Sequence, residues 1–180
     1  MTRTNPYRQG LEKTAANHVA LSPLSFLKRA AQVYPNRTSL IYGDQRFTWA
    51  QTEDRCRRLA SVLHRLGVSQ GDTVSTMLPN VPAMYEAHFG VPMTGAVLNT
   101  MHIRWNAEGL AFMLIHSETK VLLTDPEFAD VVSQALSMLD GPSPVVINVS
   151  DNSLENGRML GTLEYEILLL DAEPLFDWRL

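Results

Sequence analysis

Four short, largely apolar runs, at residues 74–78, 97–99, 121–124 and 145–147, are each set off from the next by a helix-length stretch. This pattern constrains the chain more than any other feature. Unbroken apolar strands mark a sheet buried on both faces, and parallel neighbours are joined by a crossover helix rather than a tight turn. The stretches 82–93, 106–116 and 126–139 have the length and periodicity to supply those crossovers. The expected fold class is therefore α/β, a mostly parallel sheet flanked by helices.

Local signals place the remaining elements. Ser22 is a candidate N-cap with Pro23 at the first helical position, and Phe26, Leu27, Ala30, Ala31 and Val33 form an apolar stripe up to Tyr34-Pro35. Residues 39–42 and 46–48 flank Gly43-Asp44-Gln45 and predict a small β-hairpin near residues 39–48, apart from the main sheet. Thr48-Trp49-Ala50-Gln51 fits a capping box opening a helix over 49–66. That helix is expected to bury Trp49, Cys56, Leu59, Ala60, Leu63 and Leu66, to turn Arg55, Arg58 and Arg65 towards solvent, and to end at Gly67. Along the chain, residues 1–20 read as a polar N-terminal arm and 21–150 as the α/β domain. Residues 151–180 read as a connection and a helix, the helix spanning 162–170.

Composition narrows the function classes. With 45% hydrophobic residues, 180 residues can bury a core, and a net charge of −4 without long charge runs offers nothing to nucleic acid. The single cysteine, Cys56, builds neither a disulfide nor a zinc or redox motif, and the first residues lack the apolar run of a secretory signal. A cytoplasmic location is expected. Residues 81–98 are long enough to span a membrane but contain Pro82, Glu86, His88 and Pro92, so no transmembrane segment is expected.

No familiar catalytic pattern follows any strand. Gly90 and Gly95 have phosphate-loop spacing, but Ala96 and Val97 stand where a lysine and a hydroxyl residue are needed; there is no G-x-G-x-x-G, G-x-S-x-G or H-E-x-x-H. His88 on an apolar helix reads as a packing residue, and His64 and His116 as helix C-terminal charges. Asp125 reads as a helix N-cap and Cys56 as a small buried hydrophobe. The residues by themselves establish a domain whose ligands would bind beyond the carboxyl ends of its strands.

Several segments together resemble a known family: Arg46-Phe47-Thr48-Trp49, Arg57-Arg58-Leu59-Ala60, Gly71-Asp72-Thr73-Val74, Leu78-Pro79-Asn80-Val81-Pro82, Gly95-Ala96-Val97-Leu98-Asn99-Thr100 and Lys120-Val121-Leu122-Leu123-Thr124-Asp125. In order over roughly residues 20–150, they resemble the N-terminal portion of adenylate-forming (AMP-binding) acyl-CoA synthetases, the fatty-acid CoA ligases. The resemblance implies ATP, magnesium and CoA as cofactors, and a fatty acid or other carboxylate as substrate. It also implies a Ser/Thr/Gly-rich loop ending in lysine, an aromatic-Gly-x-Thr-Glu segment, a ribose-binding aspartate and a lysine on a mobile C-terminal domain, none of which occurs here. Residues 176–180 resemble the run just before that loop.

The expectation is thus a truncated part of an acyl-CoA synthetase, inactive alone, holding no catalytic residue, binding no cofactor tightly and prone to self-association. Arg104 and, less directly, His102 are the candidate cofactor-binding residues, near the CoA approach. His102 stands where the family usually carries a second asparagine, and Trp105 and Asn106 where leucine and aspartate are common. The alternative is a non-catalytic α/β binding or interaction module.

Overall fold

The computed structural model describes residues 10, 12–19, 21–150, 158–174 and 176–178. Of the expected N-terminal arm, the described residues 12–19 are exposed; residues 151–157 of the expected connection lie outside the description.

Helix α1 (Pro23–Val33) starts at Ser22, whose Oγ accepts from the backbone N–H of Leu24 at 3.2 Å. It buries Leu24, Leu27 and Ala31, while Phe26 and Val33 of the expected stripe remain exposed. Strands β1 (Thr38–Tyr42) and β2 (Gln45–Thr48) pair antiparallel around Gly43, which takes the positive φ of 54° that a tight hairpin needs. This hairpin stands apart from the main sheet, as expected. Thr48 ends β2 and caps α2 (Trp49–Arg65): its Oγ1 accepts from Gln51 N–H at 3.3 Å, and Gln51 Oε1 accepts from Thr48 N–H at 2.8 Å.

The main sheet is built from β3 (Thr73–Met77), β4 (Val97–Thr100), β5 (Thr119–Thr124), β6 (Val145–Asn148) and β7 (Leu163–Glu164), in the order β4-β3-β5-β6-β7, with every pair parallel. Strand β7 corrects the expected helix over 162–170: its first residues pair with Ile147 and Asn148, and only Tyr165–Leu170 form a helix, α6. Two residues are too short a run for strand periodicity to register. The stretch expected as one helix over 126–139 is a 3-10 turn, Pro126–Phe128, followed by α5 (Ala129–Ser137). Asp125 caps that turn, accepting from Glu127 N–H at 2.8 Å. Helices α3 (Pro82–Met93) and α4 (Ala107–His116) supply the other crossovers, α4 capped by Asn106.

The strand order reverses once. The chain leaves β3 in one direction to reach β4, then crosses back to β5 and continues to β6, and right-handed crossovers put the two directions on opposite faces. Accordingly α2, α3 and α6 cover one face, where Leu59, Leu63, Val91 and Leu169 pack on Val74, Val121, Leu123 and Ile147. Helices α4 and α5 cover the other, with Leu110, Leu114 and Val132 packed around Met77 and Leu122. Gly90 allows α2 and α3 to approach closely, since a Cβ there would lie 2.7 Å from Leu59 Cδ2 and 3.0 Å from the Cys56 carbonyl oxygen.

At the amino edge of the sheet, the Asp72 carboxylate accepts from Lys120 Nζ at 2.9 Å and from the N–H and Oγ of Ser69 at 2.7 and 2.9 Å. Lys120, then Ser69, hold its pKa down at about 2. A carboxylate whose folded pKa is depressed stabilises the fold above its unfolded value of about 4. That contribution disappears as pH falls through about 2. An NMR titration of Asp72 is therefore expected to give a midpoint near 2, and Lys120→Met to move it up towards about 4; a midpoint near 4 in the unmodified chain would refute the pairing. Thr48→Ala is expected to lower the unfolding free energy by about 1 kcal/mol, read as a reduced urea midpoint, and an unchanged midpoint would count against the capping box.

Candidate functional site

In a doubly wound sheet the loops at the carboxyl edge, around the strand-order reversal, form the ligand crevice. Here the reversal lies at β3, between β4 and β5. Three segments meet that edge. Residues 78–81 follow β3, residues 101–106 follow β4, and Asp125 follows β5 with its N–H donating to the Met77 carbonyl at 3.3 Å. His102 and Arg104 lie exposed on the second segment, where His102 Nδ1 accepts from the Arg104 backbone N–H at 3.1 Å and closes a tight turn. Asp125 is 1% exposed and its carboxylate caps the following turn, so the capping role expected of it is the one it performs.

A groove of about 510 Å³ begins at Asn80 and runs between the hairpin and α3. Its walls are mainly apolar, with Leu40, Ile41 and Tyr42 facing Met84, Tyr85 and Phe89. His88 lies on its rim, exposed, with Nδ1 against the Met84 carbonyl oxygen at 2.8 Å. The packing role expected for His88 is corrected: the outward position on α3 faces solvent, while Glu86, two residues earlier, turns into the core.

A second, more polar cavity of about 430 Å³ shares Tyr42, Val81 and Pro82 with the groove and has Arg55 in its wall. Arg55 also corrects an expectation, for it turns inward. Its Nε donates to Glu86 Oε1 at 2.5 Å, its Nη1 and Nη2 donate to the Glu166 carboxylate at 2.8 and 2.6 Å, and the Glu86 side chain is only 2% exposed. The Tyr165 hydroxyl donates to Glu86 Oε2 at 2.7 Å. Burial pulls the Arg55 pKa down, but the hydrogen bonds to Glu166 and Glu86 outweigh it and hold the guanidinium above its ordinary value. Burial, reinforced by Glu86, pushes the Tyr165 hydroxyl up. The same two causes raise the Cys56 thiol, leaving it a packing group and not a thiolate. The sequence signal for this network was Glu86 itself, a lone acid inside an apolar run, with Arg55 four residues before Leu59 on the buried side of α2.

Among the described residues no three His, Cys, Asp or Glu side chains come together to hold a metal ion. The loops at the carboxyl edge carry no glycine run whose N–H groups would receive phosphates.

Comparison with known proteins decides the family. Residues 27–167 match the AMP-binding enzymes. The chain belongs to the AMP-binding enzyme family. Its relatives include an acetate–CoA ligase of Humulus lupulus, 45% identical over 94% of this chain and 32% of the relative. A peroxisomal trans-cinnamate:CoA ligase of Petunia hybrida is 52% identical over 91% of this chain and 31% of the relative. The chain therefore spans about a third of the length of the curated relatives it matches. A solved benzoate CoA ligase from Burkholderia xenovorans shares the fold, with a TM-score of 0.71 at 22% identity over 84% of this chain and 28% of that one. No helix among the described residues is long and apolar enough to cross a membrane.

Tyr165→Phe removes one of the donors to the buried Glu86 carboxylate. It is expected to destabilise the fold by about 2 kcal/mol in urea unfolding; a change within error would show that Arg55 alone satisfies Glu86.

Proposed function

We propose that these residues form the first part of the large domain of an ATP-dependent acyl-CoA ligase, which converts a carboxylic acid, ATP and CoA into acyl-CoA, AMP and pyrophosphate. The observation that carries this reading is the family match over residues 27–167, joined to relatives named as CoA ligases at 45% and 52% identity. A fatty acid is the proposed substrate class within the carboxylates. The lone, buried Cys56 suits a reducing compartment such as the cytoplasm, while the Petunia relative's name places that enzyme in the peroxisome.

In this reading the 180 residues supply scaffold and one wall, and alone they do not catalyse adenylation. Positioned cations and donors around the phosphates provide most of the rate in such transfers. Self-association of the isolated chain follows from β4, an outer strand of the sheet whose Val97 is exposed. The proposed role of Arg104, with His102 bracing its turn, is to orient CoA or the next loop; their exposure at the carboxyl edge supports this reading.

The test is ATP–pyrophosphate exchange with a panel of short, long and aromatic acids. It uses the purified chain alone, then mixed with the portion of the Petunia relative that follows the matched stretch. No exchange is expected from the chain alone, and acid-dependent exchange from the mixture. Exchange by the chain alone would overturn its inactivity. A silent mixture would overturn the ligase reading, and acid or nucleotide binding with a silent mixture would favour a non-catalytic binding module. In an active mixture, Arg104→Ala is expected to raise the KM for CoA in thioester formation and leave adenylation unchanged.

A further inference from the structure

Three arginines of α2 share one arrangement. Each anchors its Nε edge on an acid of α2 or α3 and turns its Nη edge to the segment that follows β7. Arg55 Nε meets Glu86 while its Nη atoms meet Glu166. Arg57 Nε donates to Glu53 Oε1 at 2.8 Å, and its Nη1 to the Phe176 carbonyl at 2.8 Å. Arg58 Nε donates to Asp54 Oδ2 at 2.7 Å, and its Nη1 to the carbonyls of Ala172 and, at 3.3 Å, Leu169. Further along α2, Ser61 Oγ donates to the Glu173 carbonyl at 2.8 Å.

The chemistry of this row is specific. Arg58 meets one carbonyl in the last turn of α6, Leu169, and one two residues past its end, Ala172, with a cation that also opposes the helix dipole. An i−4 acid fixes the Nε edge of Arg57 and of Arg58, so each fork is oriented before the segment arrives. Most targets are main-chain oxygens, so the row reads the path of the backbone and not its side chains. Phe176 and Trp178 then pack on the cluster of Leu24, Leu27 and Cys56.

From this geometry we infer that Arg55, Arg57 and Arg58 are positioning residues: they index the backbone of 165–174 and of Phe176 against α2 and so set the path along which the chain joins the rest of the enzyme. The functional half of this inference rests on the ligase reading above, and its structural half does not.

Hydrogen–deuterium exchange on the chain, wild type against the Arg57→Gln/Arg58→Gln double variant, tests the structural half. Exchange across 165–174 is expected to rise about tenfold, as charged hydrogen bonds are lost there, while β3 and β5 stay protected. In the exchange-competent mixture the same variant is expected to lose about 10- to 100-fold in kcat, with the acid KM held within about threefold, the signature of misplacement rather than lost binding. Arg65→Gln, which breaks only the exposed pair with Asp171, is expected to leave both readouts at wild-type values. Arg58→Lys keeps the charge but cannot hold Asp54 and the Ala172 carbonyl at once, so it is expected not to restore protection; it decides the matter by the same readouts if the double variant unfolds. Unchanged protection at 165–174 in the double variant, absent protection there in the wild type, or full kcat despite a released segment, would overturn the inference. A wild-type mixture without exchange would refute the ligase reading instead, and the protection data would still decide the row.

Discussion

The Glu86 carboxylate is the constraint around which one half of this molecule is arranged. An ionised carboxylate with 2% of its side chain exposed is tolerable only when its oxygens are fully engaged. Arg55 comes from α2 and Tyr165 from the start of α6, so satisfying one acid on α3 fixes three helices at once. Removing one member would leave the others buried without compensation, which makes the network far more sensitive to single changes than to joint replacement by apolar residues. It therefore fixes which helices meet more than it adds net stability.

The sheet supplies the complementary constraint. Because β3 lies between β4 and β5, the chain must change direction there, and each crossover must take the face that right-handedness allows. This places α3 beside α2 and α6, which brings Glu86 within reach of its partners, and sends α4 and α5 to the opposite face. The same reversal gathers the loop at residues 78–81, the turn of His102 and Arg104, and Asp125 at one edge. Topology thus couples the buried ionic network on one face to the location of the crevice at the strand ends.

What was legible in the sequence follows from the range of the interactions. Ser22, Thr48, Asn106 and Asp125 each cap a helix or turn through a bond spanning two or three residues, so residue identity and spacing suffice to find them. The four expected strands form one parallel sheet for a related reason, since apolar runs and crossover lengths are local quantities. Arg55 and Glu86 are 31 residues apart and Arg55 and Glu166 are 111 apart, and a reading that assigns arginines to the solvent face has no means to pair them. Strand β7 failed for another reason: two residues acquire strand geometry only because β6 already presents an open edge. At the site, the carboxyl edge followed from topology, whereas the groove between the hairpin and α3 required knowing where the hairpin lies.

Charge is deployed here mainly for docking. Arg55, Arg57, Arg58, Glu53, Asp54, Glu86 and Glu166 hold helices and backbone to one another; Asp72 and Lys120 clamp the amino edge, and Asp125 caps a turn. A side chain that carries a structural load cannot also shift to follow a reacting group, because the stiffness that positions it opposes such movement. Cys56, the one cysteine, is buried and held in its thiol form by desolvation and, after that, by the neighbouring Glu86. Asn80, His102 and Arg104 are by contrast polar groups left exposed near the strand ends. Under the ligase reading proposed above, what these exposed groups could do would depend on how accurately the backbone of 165–174 is held on α2 by Arg55, Arg58 and Ser61.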